Sequence, residues 1–303
     1  MLQKTEFRAM GCRIFAAIDS PSPPTTLNEL PHWFDEWEDR LSRFRPDSEL
    51  NRINRANGVP TQVSPVFADV LENAIAAEAL SDGLVTPVLL DALVSAGYDR
   101  SFSLIPDNVF GAQPAQIGFI PRLAEIDWDP TTSTLWLPPD VHLDFGGVAK
   151  GWAADQAARR LSTFGAALVD GQGDIAITAP QADGSPWQIG VANPFEPTDN
   201  ILLLHIPKGG VATSGRDHRN WLRNGIPAHH IIDPRTGIPA ETDVLTATAI
   251  APSVMQAEAV AKTLLILGSE NALFWLDAHP EFAALLVLED GQVLTSENLE
   301  KFL

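Results

Sequence analysis

Alternation and helical spacing divide the chain before any chemistry is considered. Over residues 6–19, Ile14, Ala16 and Ile18 alternate with other residues, predicting an opening strand that stops at the proline-rich break from Ser20 to Pro24. Residues 25–41 predict a helix: Leu30, Trp33, Phe34, Trp37 and Leu41 recur at helical spacing, with Asp35, Glu36, Glu38 and Asp39 mostly between them as a solvated face. A second amphipathic helix is predicted over residues 64–81, with Val66, Phe67, Val70, Leu71, Ala74 and Ile75 inward and Asp82-Gly83 as its stop. Residues 89–96 continue as a short third helix.

The pattern then changes. Residues 103–121 are irregular and rich in proline and glycine, as expected of a surface excursion rather than a domain boundary. Strands are predicted at 134–137 and 141–144, on either side of Pro138-Pro139, and again at 166–178, 187–192 and 201–206. A helix over 257–267 has short side chains that imply close packing, and 283–288 reads as a late strand. No internal repeat or low-complexity tract is visible. The expected class is α+β, without the regular strand-helix alternation of a doubly wound sheet.

With 303 residues, 45% of them hydrophobic, the chain can bury a large core, either as one large domain or as two intimate lobes. Its formal charge of −19 disfavours nucleic acid and anionic membrane, and requires a local positive pocket for any phosphate ligand. No apolar run approaches the length of a membrane span, and the first ten residues carry charges where a signal peptide needs its apolar segment, so a cytoplasmic location is expected. The single cysteine, Cys12, excludes an intramolecular disulfide and a multi-cysteine metal site.

Three segments carry candidate chemistry. In Asp144-Phe-Gly-Gly-Val-Ala-Lys-Gly-Trp-Ala-Ala-Asp155, two glycines and a lysine open a helix expected over residues 148–161. Backbone N–H groups, the positive helix end and Lys150 together describe an anion seat, although a tight turn that binds nothing uses the same glycines. In the second segment, Ala212-Thr-Ser-Gly215 precedes His229-His-Ile-Ile-Asp-Pro-Arg-Thr-Gly237. Adjacent histidines in a strand point to opposite faces, so they are not expected to share a metal. His230 is either a structural histidine or an acid, base or phosphate contact, and Asp233 is suited to capping a turn. Ser214 is next to Gly215 but is preceded by alanine and threonine, so it lacks the glycine on both sides, at the right spacing, of a hydrolase nucleophile elbow. In the third segment, Glu258 and Lys262 lie four apart on a helix among apolar neighbours, so they share one face at a pocket wall or lobe junction and could handle a phosphate and its metal.

Taken in order, these segments resemble the ApbE-type FAD:protein FMN transferases over nearly the whole length. The family's early Met-Gly-Thr appears as Met10-Gly-Cys12, its Leu-Ser-x-Tyr-x-x-x-Ser-Glu as Leu41-Ser-Arg-Phe-Arg-Pro-Asp-Ser-Glu49, and its glycine signature as Leu143 to Asp155. Val169-Asp-Gly-Gln-Gly-Asp-Ile175, Ala212-Thr-Ser-Gly215 and the His230 segment follow in the family's order. The resemblance implies a single ApbE-like domain over residues 1–303, with mixed sheets and packed helices forming two intimate lobes and an FAD cleft between them. It implies transfer of FMN from FAD to a threonine or serine hydroxyl of an acceptor protein, with release of AMP and with Mg²⁺ polarising the pyrophosphate. Carried over by position, the FAD contacts are Met10, Phe44, Leu84, Val85, Thr86, Asp144, Lys150 and Ile232. The catalytic set is His230, Glu258 and Lys262, and the metal ligands are Gly147, through its carbonyl, and Glu258.

The chain departs from the family pattern at the metal. The family supplies an aspartate and a threonine four residues later, where this chain has Glu258 and Lys262. An ammonium has three donors and no acceptor, so Lys262 cannot ligate an ion, and it is expected to replace part of the ion's charge. Val85 and Thr86 also stand where the family has phenylalanine and aspartate. An FAD pyrophosphatase giving FMN and AMP, or a non-catalytic FAD-binding paralogue, are the alternative readings.

Overall fold

Met10 and Gly11 both have left-handed backbone, φ 52° and 67°, and reverse the chain, so the predicted opening strand is a hairpin. In this computed structural model, β1 (Leu2–Ala9) runs antiparallel to β2 (Cys12–Asp19), with Ala9 facing Cys12 across the two-residue loop. Residues 1–21, 25–111, 120, 122–123, 126–196 and 198–303 are described. Positions 22–24 of the proline-rich break, and 112–119 and 121 of the irregular stretch, lie outside the described residues.

After a 3₁₀ turn at Thr25–Glu29 come α1 (Leu30–Leu41), α2 (Glu49–Asn54), β3 (Thr61–Gln62), α3 (Pro65–Leu80) and α4 (Leu90–Ser95). Three short strands, β4 (Asn108–Val109), β5 (Asp127–Asp129) and β6 (Thr134–Trp136), precede α5 (Ala149–Leu161). The sheet-rich stretch contains β7 (Ala166–Gly171), β8 (Asp174–Ile177), β9 (Trp187–Ala192), β10 (Asn200–Ile206) and β11 (Gly209–Gly215). It continues through β12 (Asn220–Arg223), β13 (Ile226–His229), β14 (Ile232–Asp233), β15 (Ile238–Pro239) and β16 (Val244–Ala251). The chain closes with α6 (Val254–Leu267), α7 (Ser269–Ala278), β17 (Ala283–Leu288) and β18 (Val293–Thr295). The class is α+β, as expected. It divides into two compact units, Met1–Asp35 with Lys150–Gly215 and Thr242–Leu303, and Glu36–Ala149 with Arg216–Glu241.

The first unit is built on an eight-stranded sheet of order β1-β2-β7-β8-β11-β16-β17-β18, antiparallel at every pairing. Helix α6 lies on β11 and β16. Its Ala257, Ala259 and Ala261 are buried, and a Cβ on Gly210 would collide with the Val254 backbone, so small residues set the close approach that the sequence implied. Alternate residues of a strand face opposite ways, and Val211, next to Gly210, enters a separate core with Ile177, Trp187, Ile189, Leu204 and Leu285 under the β9–β10 hairpin.

In the second unit, Ser64 caps α3 by accepting from Phe67 N, and Phe67, Val70, Leu71 and Ala74 are buried. Ile75, predicted inward, is 37% exposed and Val66 is only half-buried, because the core lies over the face centred on Phe67 and Val70. A parallel pairing with β12 gives β4 a place in a three-stranded sheet, so the irregular stretch is partly ordered into the unit. Tyr98, Trp221, Ala228 and Ile232 share a buried cluster. Two predicted strands are corrected. Residues 141–144 have no strand partner and are held by side-chain and loop contacts, and 166–178 is the β7–β8 hairpin turning at Gln172-Gly173, φ 57° and 96°. No helix among the described residues is long and apolar enough to cross a membrane.

Candidate functional site

In the first unit, strand register gathers three of the motif pieces at one end of the large sheet. Ile14 is opposite Gly171, Ala212 is opposite Asp174, and Arg13 N–H donates to the Gln172 side chain at 3.3 Å. The Met10-Gly11 turn, the Gln172-Gly173 turn and the Thr213–Gly215 end of β11 are thereby neighbours, and Thr213 N–H donates to Gly173 O at 3.1 Å. Met10 holds a left-handed conformation that costs a non-glycine residue about 1 kcal/mol or more, and the two-residue hairpin loop requires it there. Ser214 is buried in β11, and the neighbouring Thr213 hydroxyl bonds that of Thr248 at 2.9 Å.

At this end stand two ion pairs. Lys150, in the first turn of α5, bonds Asp174 at the start of β8. Lys262 donates to Glu258 Oε1 at 2.9 Å, one turn back on α6. The other Glu258 oxygen, Oε2, accepts from Gly151 N–H at 3.2 Å, so the carboxylate sits at the N-terminal turn of α5, where N–H groups have no helical acceptor. In both pairs the carboxylate is the deeper member: the side-chain exposures are 3% for Asp174 against 20% for Lys150, and 1% for Glu258 against 16% for Lys262. Burial pushes the Glu258 carboxyl up; Lys262 opposes this, Asp174 adds to it and Lys150 opposes it. Burial also pushes up Asp170, which accepts from Gly173 N–H at 2.7 Å.

The second unit holds the glycine turn. Asn54 clamps its approach, donating to Leu143 O and accepting from Leu143 N–H, both at 2.8 Å, while Asp144 N–H donates to Pro87 O at 2.8 Å. Asp144 then serves two neighbours. Its Oδ1 accepts from Gly146 N–H at 2.8 Å, and its Oδ2 pairs with Arg43 Nε at 2.7 Å. A Cβ on Gly146 would meet Asp144 Oδ1 at 2.8 Å, so this glycine serves Asp144, and its N–H is engaged within the turn rather than offered to a phosphate. Gly147 follows, and Val148 and Ala149 N–H both donate to Phe145 O.

Arg43 organises an aromatic platform. Its guanidinium lies 4.2 Å from the Phe44 ring centroid and 4.5 Å from that of Tyr98, and its Nη2 is buried with no hydrogen-bond partner among the described residues. Tyr98 also meets Trp221 at 5.6 Å and the edge of His230 at 6.4 Å. Phe44 is 43% exposed, with the Arg43 guanidinium over its ring. His230 is half-buried with Nδ1 3.4 Å from Arg219 O, whereas His229 is buried with Nε2 3.1 Å from Ala240 O; one histidine faces in and the other partly out, as expected. Desolvation lowers His229 to about 4. Ile232 has its side chain in the Tyr98–Trp221 cluster. Asp233 caps its turn, accepting from Arg235 N–H and Nε at 2.9 Å and, through its carbonyl, from Gly237 N–H at 2.8 Å.

Leu84 and Val85 are buried in the loop after α3, Val85 N–H donating to Ser81 Oγ at 2.9 Å, and Thr86 Oγ1 accepts from Val88 N–H at 3.3 Å. The candidate residues thus fall into two sets, Met10, Lys150, Glu258 and Lys262 in one unit and Phe44, Leu84, Val85, Thr86, Asp144, Gly147, His230 and Ile232 in the other. Asn54, Arg43, Tyr98 and Trp221 were not singled out in the sequence. Arg43 had a signal, since it lies inside a quoted motif beside Phe44, while Asn54 is one polar residue in an unrecognised helix.

The residues present do not fit a divalent ion. Both oxygens of Glu258 already have donors, Lys262 brings no lone pair, and no group of three or more His, Cys, Asp or Glu side chains able to hold a metal occurs among the described residues.

Comparison with known proteins agrees with the motif order. The FAD:protein FMN transferase of Vibrio cholerae serotype O1 is 30% identical, covering 88% of this chain and 80% of that protein, and the one from Salmonella typhimurium is 31% identical, covering 85% and 75%. The crystal structure of the ApbE protein from Thermotoga maritima superposes with a TM-score of 0.88 at 23% identity, over 100% of this chain and 99% of that one. The flavin transferase ApbE from Vibrio cholerae gives a TM-score of 0.81, also at 23% identity and over 100% of both chains. The ApbE family model matches residues 10–286, and the chain belongs to the ApbE family.

Proposed function

We propose that this protein is an FAD:protein FMN transferase, moving FMN from FAD to a threonine or serine hydroxyl of an acceptor protein and releasing AMP. The observation that carries this reading is the pair of buried carboxylates, Asp174 and Glu258, each holding a lysine whose side chain is the more exposed partner, in a chain of net charge −19. Such an arrangement accepts phosphate oxygens without opening the carboxylates to them. The relatives named FAD:protein FMN transferase supply the substrate class.

In the reaction, the acceptor oxygen bonds the phosphorus of the FMN half, the bond from that phosphorus to the bridging oxygen breaks, AMP leaves with that oxygen, and the hydroxyl proton passes to a base. Lys150 and Lys262 hold negative charge that builds on the pyrophosphate, and their carboxylates fix where each ammonium stands. Met10, Phe44, Leu84, Val85, Thr86, Asp144 and Ile232 are assigned to FAD, with Phe44 offering a ring face to a flavin or adenine. Asp144 works by tying Arg43 to the glycine turn. His230 is assigned the proton. No step is routed through Mg²⁺, for which the Glu258 surroundings are unsuited.

AMP release from FAD, followed by chromatography with an acceptor carrying threonine and with the same acceptor carrying valine there, tests the reading. Release that requires the hydroxyl supports transfer. Equal release with either acceptor, or with none, identifies a pyrophosphatase and contradicts it.

A further inference from the structure

A divalent ion and Lys262 compete for one carboxylate. Glu258 is 1% exposed, its Oε1 is taken by Lys262 Nζ at 2.9 Å and its Oε2 by Gly151 N–H at 3.2 Å. Each oxygen keeps a second lone pair, but an ion ligated there would stand beside the Lys262 ammonium on the same carboxylate and be repelled by it. The Lys262 side chain is the more exposed of the pair, so an arriving anion has readier access to it than to the carboxylate. Lys150 over Asp174 repeats the arrangement. Each pair is neutral as a whole, so what it offers a phosphate oxygen is the N–H donors and the local field of its lysine.

We infer that Lys262 is a tethered cation for the pyrophosphate, so that this chain binds FAD without a divalent metal ion. The inference rests on the FAD reading above and adds to it the loss of metal dependence. Lys262 stays on Glu258 in the free protein and turns one or more of its three N–H groups to a phosphate oxygen when FAD is bound, which an ammonium can do without leaving its carboxylate.

Two measurements test it. Titration of FAD by flavin fluorescence, in EDTA and in Mg²⁺, is expected to give dissociation constants within about twofold of each other. Electron paramagnetic resonance with Mn²⁺ as the probe is expected to show no stoichiometric site on the free protein. Lys262→Met is expected to weaken FAD binding in EDTA by about tenfold or more. The double variant Glu258→Gln/Lys262→Met removes both charges without leaving a lone buried ion, and is expected to lose the same affinity while remaining folded by circular dichroism. Binding only in Mg²⁺, one tight Mn²⁺ per free chain, or unchanged FAD affinity in the double variant overturns the inference while leaving the FAD reading in place. Absence of FAD binding in both buffers overturns the two together.

Discussion

Lys262 Nζ lies 2.9 Å from Glu258 Oε1, one helical turn away on α6, and the carboxylate is the member shut off from solvent. A buried acid beneath a partly exposed base makes stability depend unequally on the two. Glu258→Ala strips the ammonium of its partner inside a low-dielectric wall and is expected to cost about 3–5 kcal/mol. Lys262→Met should cost less, because burial already pushes the Glu258 carboxyl up and it can take a proton when the lysine is gone. Urea unfolding of both variants checks the order; a larger loss for Lys262→Met contradicts it.

Gly151 is a second handle on the same carboxylate. Glycine to alanine inside a helix is ordinarily worth about 1 kcal/mol in favour of alanine. Here the new Cβ would come within 2.5 Å of Glu258 Oε2, and the carboxylate is pinned on its other side by Lys262. Gly151→Ala is therefore expected to lower stability by about 1–3 kcal/mol, the cost of overpacking a buried site. A raised melting temperature would show that Glu258 is free to move.

Asn54 anchors the glycine turn from a different part of the chain. Its amide satisfies both backbone groups of buried Leu143, just ahead of Asp144. Asn54→Ala leaves an N–H and a C=O without partners and is expected to cost about 2–4 kcal/mol. The turn should loosen with it, seen as faster amide exchange at Asp144 and Gly146 than at α3. Wild-type exchange at these amides would place the anchor elsewhere.

The helix-opening turn before α5, the α3 and α6 helices and the β9, β10 and β17 strands follow from periodicity and punctuation alone. The hairpin at Met10-Gly11 carried a turn signal that the polar face of β1, with Lys4, Glu6 and Arg8 outward, concealed. Val244 to Ala251 mixes threonine and alanine with aliphatics, a composition that states no period, yet it is a central strand because α6 and β17 bury it. Motif order was enough to name the candidate residues. It did not reveal Asn54 or Tyr98, whose roles depend on contacts 89 and 132 positions away in the chain, to Leu143 and His230. Nor did it show that Gly146 N–H is kept for Asp144.

Buried His229 sets a pH dependence. Its Nε2 lies against Ala240 O and its Nδ1 accepts from Ile231 N–H, so the neutral ring fills both positions and a second proton would face a donor. Its value of about 4 lies below the ordinary 6.5, so the unfolded chain takes up the proton first. The contribution is complete above about pH 6.5 and declines as pH falls toward 4, by up to about 3 kcal/mol. Unfolding free energies at about pH 7 and about pH 4.5 should fall less steeply in His229→Gln than in the parent. Parallel slopes would remove His229 from the account.

FMN is expected to end up covalently attached to a second protein. Incubation of the purified chain with FAD and a folded acceptor bearing an accessible threonine, followed by intact-mass measurement of the acceptor, reads this directly. The account predicts an acceptor heavier by one FMN, with the modification on the hydroxyl residue and one AMP released for each adduct. An unmodified acceptor, alongside either intact FAD or free FMN and AMP, contradicts it.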